Sequence, residues 1–296
     1  MKKRDVPVCD YDGSTYQRDF WDAGDREYED QVEAVAIKRL MPKRGSRLLE
    51  VGAGAGRNTL RYTGFDQIVL LDYSRTQLEQ AQARLGVSDR FIYVAADVYR
   101  LPFDSAVFDA ATMIRTLHHL AEPGDALRNI HYSLAPGGAF VLEYANKQNF
   151  KAILRWVTRQ QKWSPFHRGT IEFAELNYDF HPVMIDKWLS ETGFCIRRKL
   201  TVSHFRAGFL KRNIPLRMLV GLDSALQWTG NWWQLSPSVF VQSRVEGKPE
   251  SIKEDLIWRC PSCSAVDLES SADGLKCGNC SRVWPLRDGI YDFKGD

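Results

Sequence analysis

The sequence predicts an α/β protein: a mostly parallel β-sheet with helices on both faces, followed by a small cysteine-rich module. Two observations carry this. Short apolar runs alternate with helical patterns between residues 27 and 145, and two C-x-x-C pairs stand close together near the C-terminus. Strand–helix alternation marks βαβ units, because parallel neighbours need a crossover connection.

Residues 27–40 place apolar side chains at helical spacing and stop before Pro42. Apolar runs follow at 47–51, 67–71, 90–95, 108–114 and 139–143, with helices expected at 56–62, 74–85 and 123–134. After Asn146 the rhythm breaks. Residues 147–180, rich in aromatic and basic side chains, read as an insertion carrying one helix. Pro182 opens a further helix over 183–192, ended by Gly193. Two β-like stretches, 195–203 and 237–245, flank an apolar segment whose aromatic clusters at 205–210 and 228–233 are expected in the core. Glu246 to Ser251 has the composition of a linker. The expected boundaries are a first domain over 1–246, a linker over 247–255 and a cysteine module over 256–296, each domain with its own core.

With 44% hydrophobic and 26% charged residues in a chain of 296, disorder, a collagen repeat and a disulfide-dense mini-protein are excluded. A formal charge of +3 is too small to argue for nucleic acid. The basic start, Met1 to Arg4, runs into acids instead of an apolar stretch, so it does not read as a targeting signal. The longest uncharged stretch, 224–243, contains Gln227, Gly230, Asn231, Gln234 and Pro237, a poor membrane span. A cytoplasmic protein with reduced thiols is expected.

Leu48-Leu49-Glu50-Val51-Gly52-Ala53-Gly54-Ala55-Gly56-Arg57 puts glycines at alternate positions after a strand, where the chain turns tightly and a ligand can come close. The spacing is G-x-G-x-G, whereas a nicotinamide dinucleotide site wants G-x-G-x-x-G. Glu50 at the strand end repels a pyrophosphate and attracts a sulfonium or ammonium group. Asp72 ends the next strand, at the place from which an acid accepts both ribose hydroxyls. Asp97 ends the third. One such acid alone could be a helix cap or turn residue. Three on successive strand ends point to a ligand.

These residues resemble a class I, type 11 S-adenosylmethionine-dependent methyltransferase. The resemblance rests on Glu50 to Gly56, Leu71-Asp72-Tyr73-Ser74, Ala96 to Phe103, Phe108-Asp109-Ala110, Leu117 to Leu120 and Leu134 to Gly138. It is dense over 40–145 and loose over 180–245. It implies a Rossmann-like sheet of seven strands. It implies too that Glu50 and the amides of Gly52, Ala53, Gly54 and Gly56 surround the methionine moiety. Asp72 and Tyr73 would then take the ribose and adenine, Asp97 and Val98 the adenine edge, and Met113 would line the pocket. Ile114-Arg115 stands where amino-group methyltransferases carry Asn-Pro-Pro-Tyr, which lowers the case for DNA adenine as acceptor.

Methyl transfer rests on positioning, with a base needed for some acceptors. His118, His119, Tyr144, His167, Asp179 and His181 are the candidates. Asp179 and His181 stand out because Asn177 to Pro182 brings an acid, an imidazole and two aromatics to a helix start beside the insertion. Aromatic cover favours a small, largely apolar acceptor. Basic pairs at 197–199 and 211–212, with Arg217 and the C-terminal cysteine module as further RNA contacts, keep an RNA methyltransferase as the alternative. A non-catalytic protein that binds through the glycine loop is the second alternative.

Cys260-Pro261-Ser262-Cys263 and Cys277-Gly278-Asn279-Cys280, with thirteen residues between them, supply the four thiolates of a closed, structural zinc site. So short a module could not bury enough core without such a staple. A redox pair of C-x-x-C motifs is the competing reading. Trp284-Pro285-Leu286-Arg287-Asp288-Gly289-Ile290 resembles the zinc ribbon of small methyltransferase-activating subunits, with Tyr291 in place of their common proline. That resemblance implies docking, on the chain's own catalytic domain or on a partner protein.

Overall fold

The computed structural model describes residues 6–13, 26–248, 250–255, 257–271 and 273–295. The basic start at 1–4 lies outside the described residues. Helix α1 (Glu27–Leu40) has acids in its first turn and Lys38 and Arg39 in its last, which suits the helix dipole. It buries Tyr28, Val32, Ala36, Ile37 and Leu40 as one stripe.

Strands β1 (Gly45–Val51) and β2 (Phe65–Asp72) lead to α2 (Arg75–Leu85), which Ser74 caps by accepting from the Gln77 amide. Then come β3 (Phe91–Ala95), β4 (Phe108–Met113), α3 (Pro123–Ser133) and β5 (Leu134–Ala145). These five strands are parallel, in the order β3-β2-β1-β4-β5. Both faces are covered: Leu49, Val69 and Val94 enter one core, Leu48, Ile68 and Tyr93 the other. That explains the unbroken apolar runs in the sequence. The helix expected over 56–62 is a single 3-10 turn, Thr59–Arg61. Gly52, Gly54 and Gly56 all take positive φ, so the chain leaves the loop too late to wind further before Gly64 packs against the Lys43 backbone.

The insertion holds α4 (Phe150–Val157) and a hairpin of β6 (Ile171–Ala174) and β7 (Asn177–Asp179), followed by α5 (Pro182–Glu191). β8 (Phe194–Val202), α6 (Gly208–Asn213), α7 (Leu216–Leu226) and β9 (Ser238–Val245) complete the first unit, with β9 antiparallel to both β5 and β8. The aromatic clusters expected in the core are largely outside it. Phe209, Trp232 and Trp233 are exposed by 67%, 75% and 57%. Core strands leave no room for them, because their faces are already covered by α1 and α7 on one side and α3 and α5 on the other.

The seven expected strands form a contiguous run, but the sheet has eleven. The cysteine module forms a meander of β10 (Leu268–Ser271), β11 (Gly274–Cys277), β12 (Val283–Arg287) and β13 (Ile290–Asp292). β13 pairs in parallel with β3, Ile290 opposite Tyr93 and Asp292 opposite Ala95. Instead of the separate core expected of it, the cysteine module shares one with the sheet. Cys260, Leu275, Cys277, Trp284 and Phe293 belong to the same cluster as Val94 and Phe103. Trp258 bridges them, 5.6 Å from the Phe103 ring and stacked 5.2 Å from Phe293. The connecting segment is held too: the Arg47 guanidinium donates to the carbonyls of Val107 at 3.1 Å and Glu254 at 2.7 Å.

A shared core predicts shared unfolding. Phe103→Ala should cost about 3–5 kcal/mol and move tryptophan fluorescence and far-UV dichroism along one common melting curve. Two separate transitions would show that the module and the sheet are independent.

Candidate functional site

Strand order reverses between β1 and β4, and a cavity opens there at the C-terminal ends of the strands. Glu50 near the end of β1, Asp72 at the end of β2, and Gly52, Ala53 and Gly54 from the intervening loop line it, with Tyr73 and Val98. Only glycine fits at Gly52. It takes φ +69°, and a Cβ there would lie 2.0 Å from Thr116 Oγ1. The loop amides, expected to face a ligand, are used within the chain. Gly52 and Ala53 donate to the Leu71 carbonyl, Gly56 to that of Ala53, and Gly54 to Asp72 Oδ2 at 2.8 Å. The glycines therefore provide close approach more than hydrogen bonds.

Two carboxyls face this cavity in an uncomfortable state. Burial pushes Glu50 up to about 7, against a 2.6 Å hydrogen bond from Thr59 and the charge of Arg57. Burial also raises Asp72 to about 6, although it accepts from the amides of Ser74 and Gly54. Gln77 lines the same space, with its Nε2 buried and without a hydrogen-bond partner among the described residues. A ligand with cationic and hydroxyl groups would satisfy this set.

The walls are fixed by a third carboxyl. Glu33, fully buried on α1, accepts from Arg57 Nη2 at 2.8 Å and from Arg115 Nε at 2.8 Å. Burial alone would raise it, but the charges of Arg115 and Arg57 hold it at about 2. Arg57 ends the glycine loop and Arg115 follows β4, so Glu33 ties two walls of the cavity together. Asp30 adds ion pairs to Arg57 and Arg61.

Three expected ligand residues do not line the cavity. Gly56 packs against α2, where a Cβ would lie 2.9 Å from Leu85. Asp97 caps a 3-10 turn through the Tyr99 amide and pairs with Arg100 at 3.3 Å. Met113 is wholly buried in the core between β1 and β5. Val8, Cys9 and Tyr11 do line it, from a segment lying across the cavity; Tyr11 Oη meets His119 Nε2 at 3.1 Å. No local sequence pattern announces such a strap, because its place depends on residues more than sixty positions away. Asp12 bonds Ser74 and Thr76, and Lys294 from the far end of the chain bonds Asp12 at 2.9 Å.

A second cavity of about 780 Å³ lies beside α4 and the β8–α6 connection. Asp179 lines it, and burial raises its carboxyl to about 6 against the charges of Lys147 and Arg206. His181 does not join it. Its Nδ1 caps α5 by accepting from the Val183 amide at 3.2 Å, a positional duty that occupies the ring. Tyr144 is locked in the core, and His167 closes a turn through the Gly169 amide. The four cysteines converge: the Sγ atoms of Cys260, Cys263, Cys277 and Cys280 all lie within 4.8 Å of one another.

The family described as "Methyltransferase domain" matches residues 49–142. A demethylmenaquinone methyltransferase of Clavibacter sepedonicus is 36% identical over 115 residues, covering 38% of this chain and 47% of that protein. The chain spans about half the length of the curated relatives it matches. Among solved structures, the Burkholderia thailandensis 1,6-didemethyltoxoflavin-N1-methyltransferase shares 18% identity at TM-score 0.51, over 78% of this chain and 86% of that one. A chain from the Haloferax volcanii complex of the Trm112 methyltransferase activator shares 15% at TM-score 0.55, over 78% and 96%. Residues 49–142 thus carry a methyltransferase domain, on a Rossmann-like methyltransferase fold. Among the described residues no helix is long and apolar enough to cross a membrane.

Glu33→Gln should cost about 3–5 kcal/mol by leaving two buried guanidiniums under-compensated. Because its folded pKa is depressed, Glu33 stabilises the fold above the usual glutamate range, and that contribution fades as pH falls toward about 2. The variant's stability should therefore be flatter between pH 5 and pH 2 in urea titrations (roughly the interval over which glutamate protonates). An unchanged acid slope would remove Glu33 from this role.

Proposed function

We propose that this chain transfers a methyl group from S-adenosylmethionine to a small, largely apolar acceptor. The observation that carries the reading is the first cavity's donor set: Glu50 and Asp72 raised by burial, beside the unpartnered Gln77 Nε2. Bound there, S-adenosylmethionine supplies an electrophilic methyl group on a sulfonium. Glu50 offers charge to its cationic end, and Asp72 accepts from the ribose hydroxyls. Tyr73 and Val98, which line the cavity, would flank the adenine, and the Gly52–Ala53–Gly54 backbone would let the ligand approach.

The second cavity is the acceptor's place in this reading. Phe150, Leu154 and Trp233 in its lining are exposed, as an apolar ligand's entrance would be. Asp179 is the residue placed to take a proton from the acceptor, and His181 positions the helix beside it. The basic clusters that kept RNA in view are partly consumed: Lys199 pairs with Asp186 at 2.6 Å and Lys211 with Glu29 at 3.3 Å. The first 246 residues would form the methyltransferase unit.

Residues 256–296 would form a ribbon around one structural zinc. Cys260–Cys280 and Cys263–Cys277 sulfur separations are 3.7 and 3.5 Å. A tetrahedron with Zn–S bonds of about 2.3 Å has edges of about 3.8 Å. A reducing, cytoplasmic setting suits such thiolates. Its docking on β3 is internal to the chain, as the parallel pairing of β13 supports.

Calorimetry tests the cofactor reading. S-adenosylmethionine should bind more tightly as pH rises through about 7, since the cation favours ionised Glu50, and binding should release protons. A pH-independent affinity with no proton release, or tighter binding of NAD, would overturn it. Asp72→Ala should lose about 1–3 kcal/mol of affinity. Asp179→Asn should lower turnover of labelled methyl into acceptor fractions while leaving S-adenosylhomocysteine affinity alone. Metal analysis should return one zinc per chain, and stripping it with a chelator should lower the melting temperature of the whole protein.

A further inference from the structure

The second cavity contains polar groups that apolar contents would leave stranded. Arg206 lines it with Nε and Nη2 both buried, and neither has a hydrogen-bond partner among the described residues. Ser203, three positions earlier, lines it as well, and its buried Oγ is also unpartnered. A guanidinium withdrawn from water without an anion is among the most costly arrangements a core can hold.

Nearby acids attract it through space, but among the described residues none bonds it. Glu33 is committed to Arg57 and Arg115. Glu143 accepts from the Arg115 amide at 3.0 Å and from Ser238 Oγ at 2.5 Å. Glu29 pairs with Lys211 and Arg26. Asp179 shares the cavity, yet no ion pair within 4.0 Å joins it to Arg206. Arg115, the other guanidinium close by, repels Arg206 and helps lower its pKa to about 10, after the larger effect of burial. The lining also has an apolar share, Phe150, Leu154, Trp163, Leu226, Trp233 and Leu235, beside polar residues that include Lys151 and Arg155.

We propose that Arg206 and Ser203 form an anion cradle, and that the methyl acceptor is an amphiphilic acid whose carboxylate or phosphate sits there while its apolar body lies along α4 and Trp233. The inference rests on reading this cavity as the acceptor site. A planar guanidinium presents paired N–H donors matched to two oxygens of either head group, and a serine hydroxyl adds a third donor. Asp179 lines the same cavity, and the Arg206 charge offsets its own. The cradle thus sets which end of the acceptor enters first.

The test uses the full chain and three ten-carbon probes by calorimetry: decanoate, decyl phosphate and decanol. At least one of the two acids should bind about tenfold or more tightly than decanol, the effect of one charged hydrogen-bonded contact. The tighter acid identifies the head group. Arg206→Gln should abolish the preference and leave decanol and S-adenosylhomocysteine affinities unchanged, while Arg206→Lys should keep part of it. Equal binding of acids and alcohol by the unaltered protein overturns the cradle, as does an Arg206→Gln chain that still prefers the acid. If Arg206→Gln fails to fold, the comparison in the unaltered protein decides alone. Loss of the methyltransferase reading would register separately, as absent S-adenosylhomocysteine binding beside intact acid preference.

Discussion

The Glu33 carboxylate is the constraint on which the cavity's shape depends. It sits on the first helix, well before either wall it organises. One oxygen holds Arg115 and the other Arg57, so the end of the glycine loop and the turn after β4 share a single buried anchor. Arg115 keeps a positive φ of 59° there, and its amide donates to Glu143. Glu143 in turn accepts from Ser238 on β9. A chain of charge-assisted bonds therefore runs from α1 through β4 and β5 to β9. Buried ion pairs stabilise a fold weakly against apolar replacement. Here the network does what packing cannot: it fixes the relative placement of two loops that have no regular structure.

The same network explains why two buried glutamates behave oppositely. Glu33 receives two guanidiniums and stays ionised down to about 2. Glu50 receives a hydroxyl from Thr59, because Arg57 is already engaged by Glu33 and Asp30, and burial lifts it to about 7. Compensating one carboxyl leaves the other short of a cation. Arg206 is the mirror case in the second cavity, a cation short of an anion. Each cavity thus holds a buried charged group that its neighbours do not fully compensate.

Much of this was legible in the sequence, for identifiable reasons. The five parallel strands and α1 were readable because strands buried on both faces are apolar throughout and an amphipathic helix repeats on its own period. Glu50 and Asp72 were readable because strand ends are marked by the switch from apolar to acidic residues. The helix expected at 56–62 shrinks to one turn, because apolar spacing says nothing about how many residues a positive-φ loop consumes. Trp228, Trp232 and Trp233 lie outside the core expected for them, because hydrophobicity does not tell a core filler from a surface residue or, as at Trp233, a cavity wall. Arg206 carried no signal at all, since an arginine is a functional residue only when its surroundings withhold a partner.

The C-terminal strand was the least legible part of the fold, and its consequences reach furthest. β13 has three residues, too few for any periodicity, and its partner is an edge strand from the far end of the sequence, Ile290 lying opposite Tyr93. An open edge such as β3 invites pairing with other chains. β13 occupies it, while the other edge, β8, carries a bulge between Ile196 and Arg198 and a run of basic residues, both of which discourage pairing. Beyond β13 the chain places Lys294 over the Tyr73 ring, 5.2 Å from its centre, and against Asp12. Asp12 belongs to the strap that lines the first cavity and caps the helix following Asp72. The four-cysteine module is therefore more than an appendage to the sheet. Through β13 and Lys294 it fixes the edge strand and the strap together, so the ribbon's own folding bears on the walls of a cavity that none of its residues line.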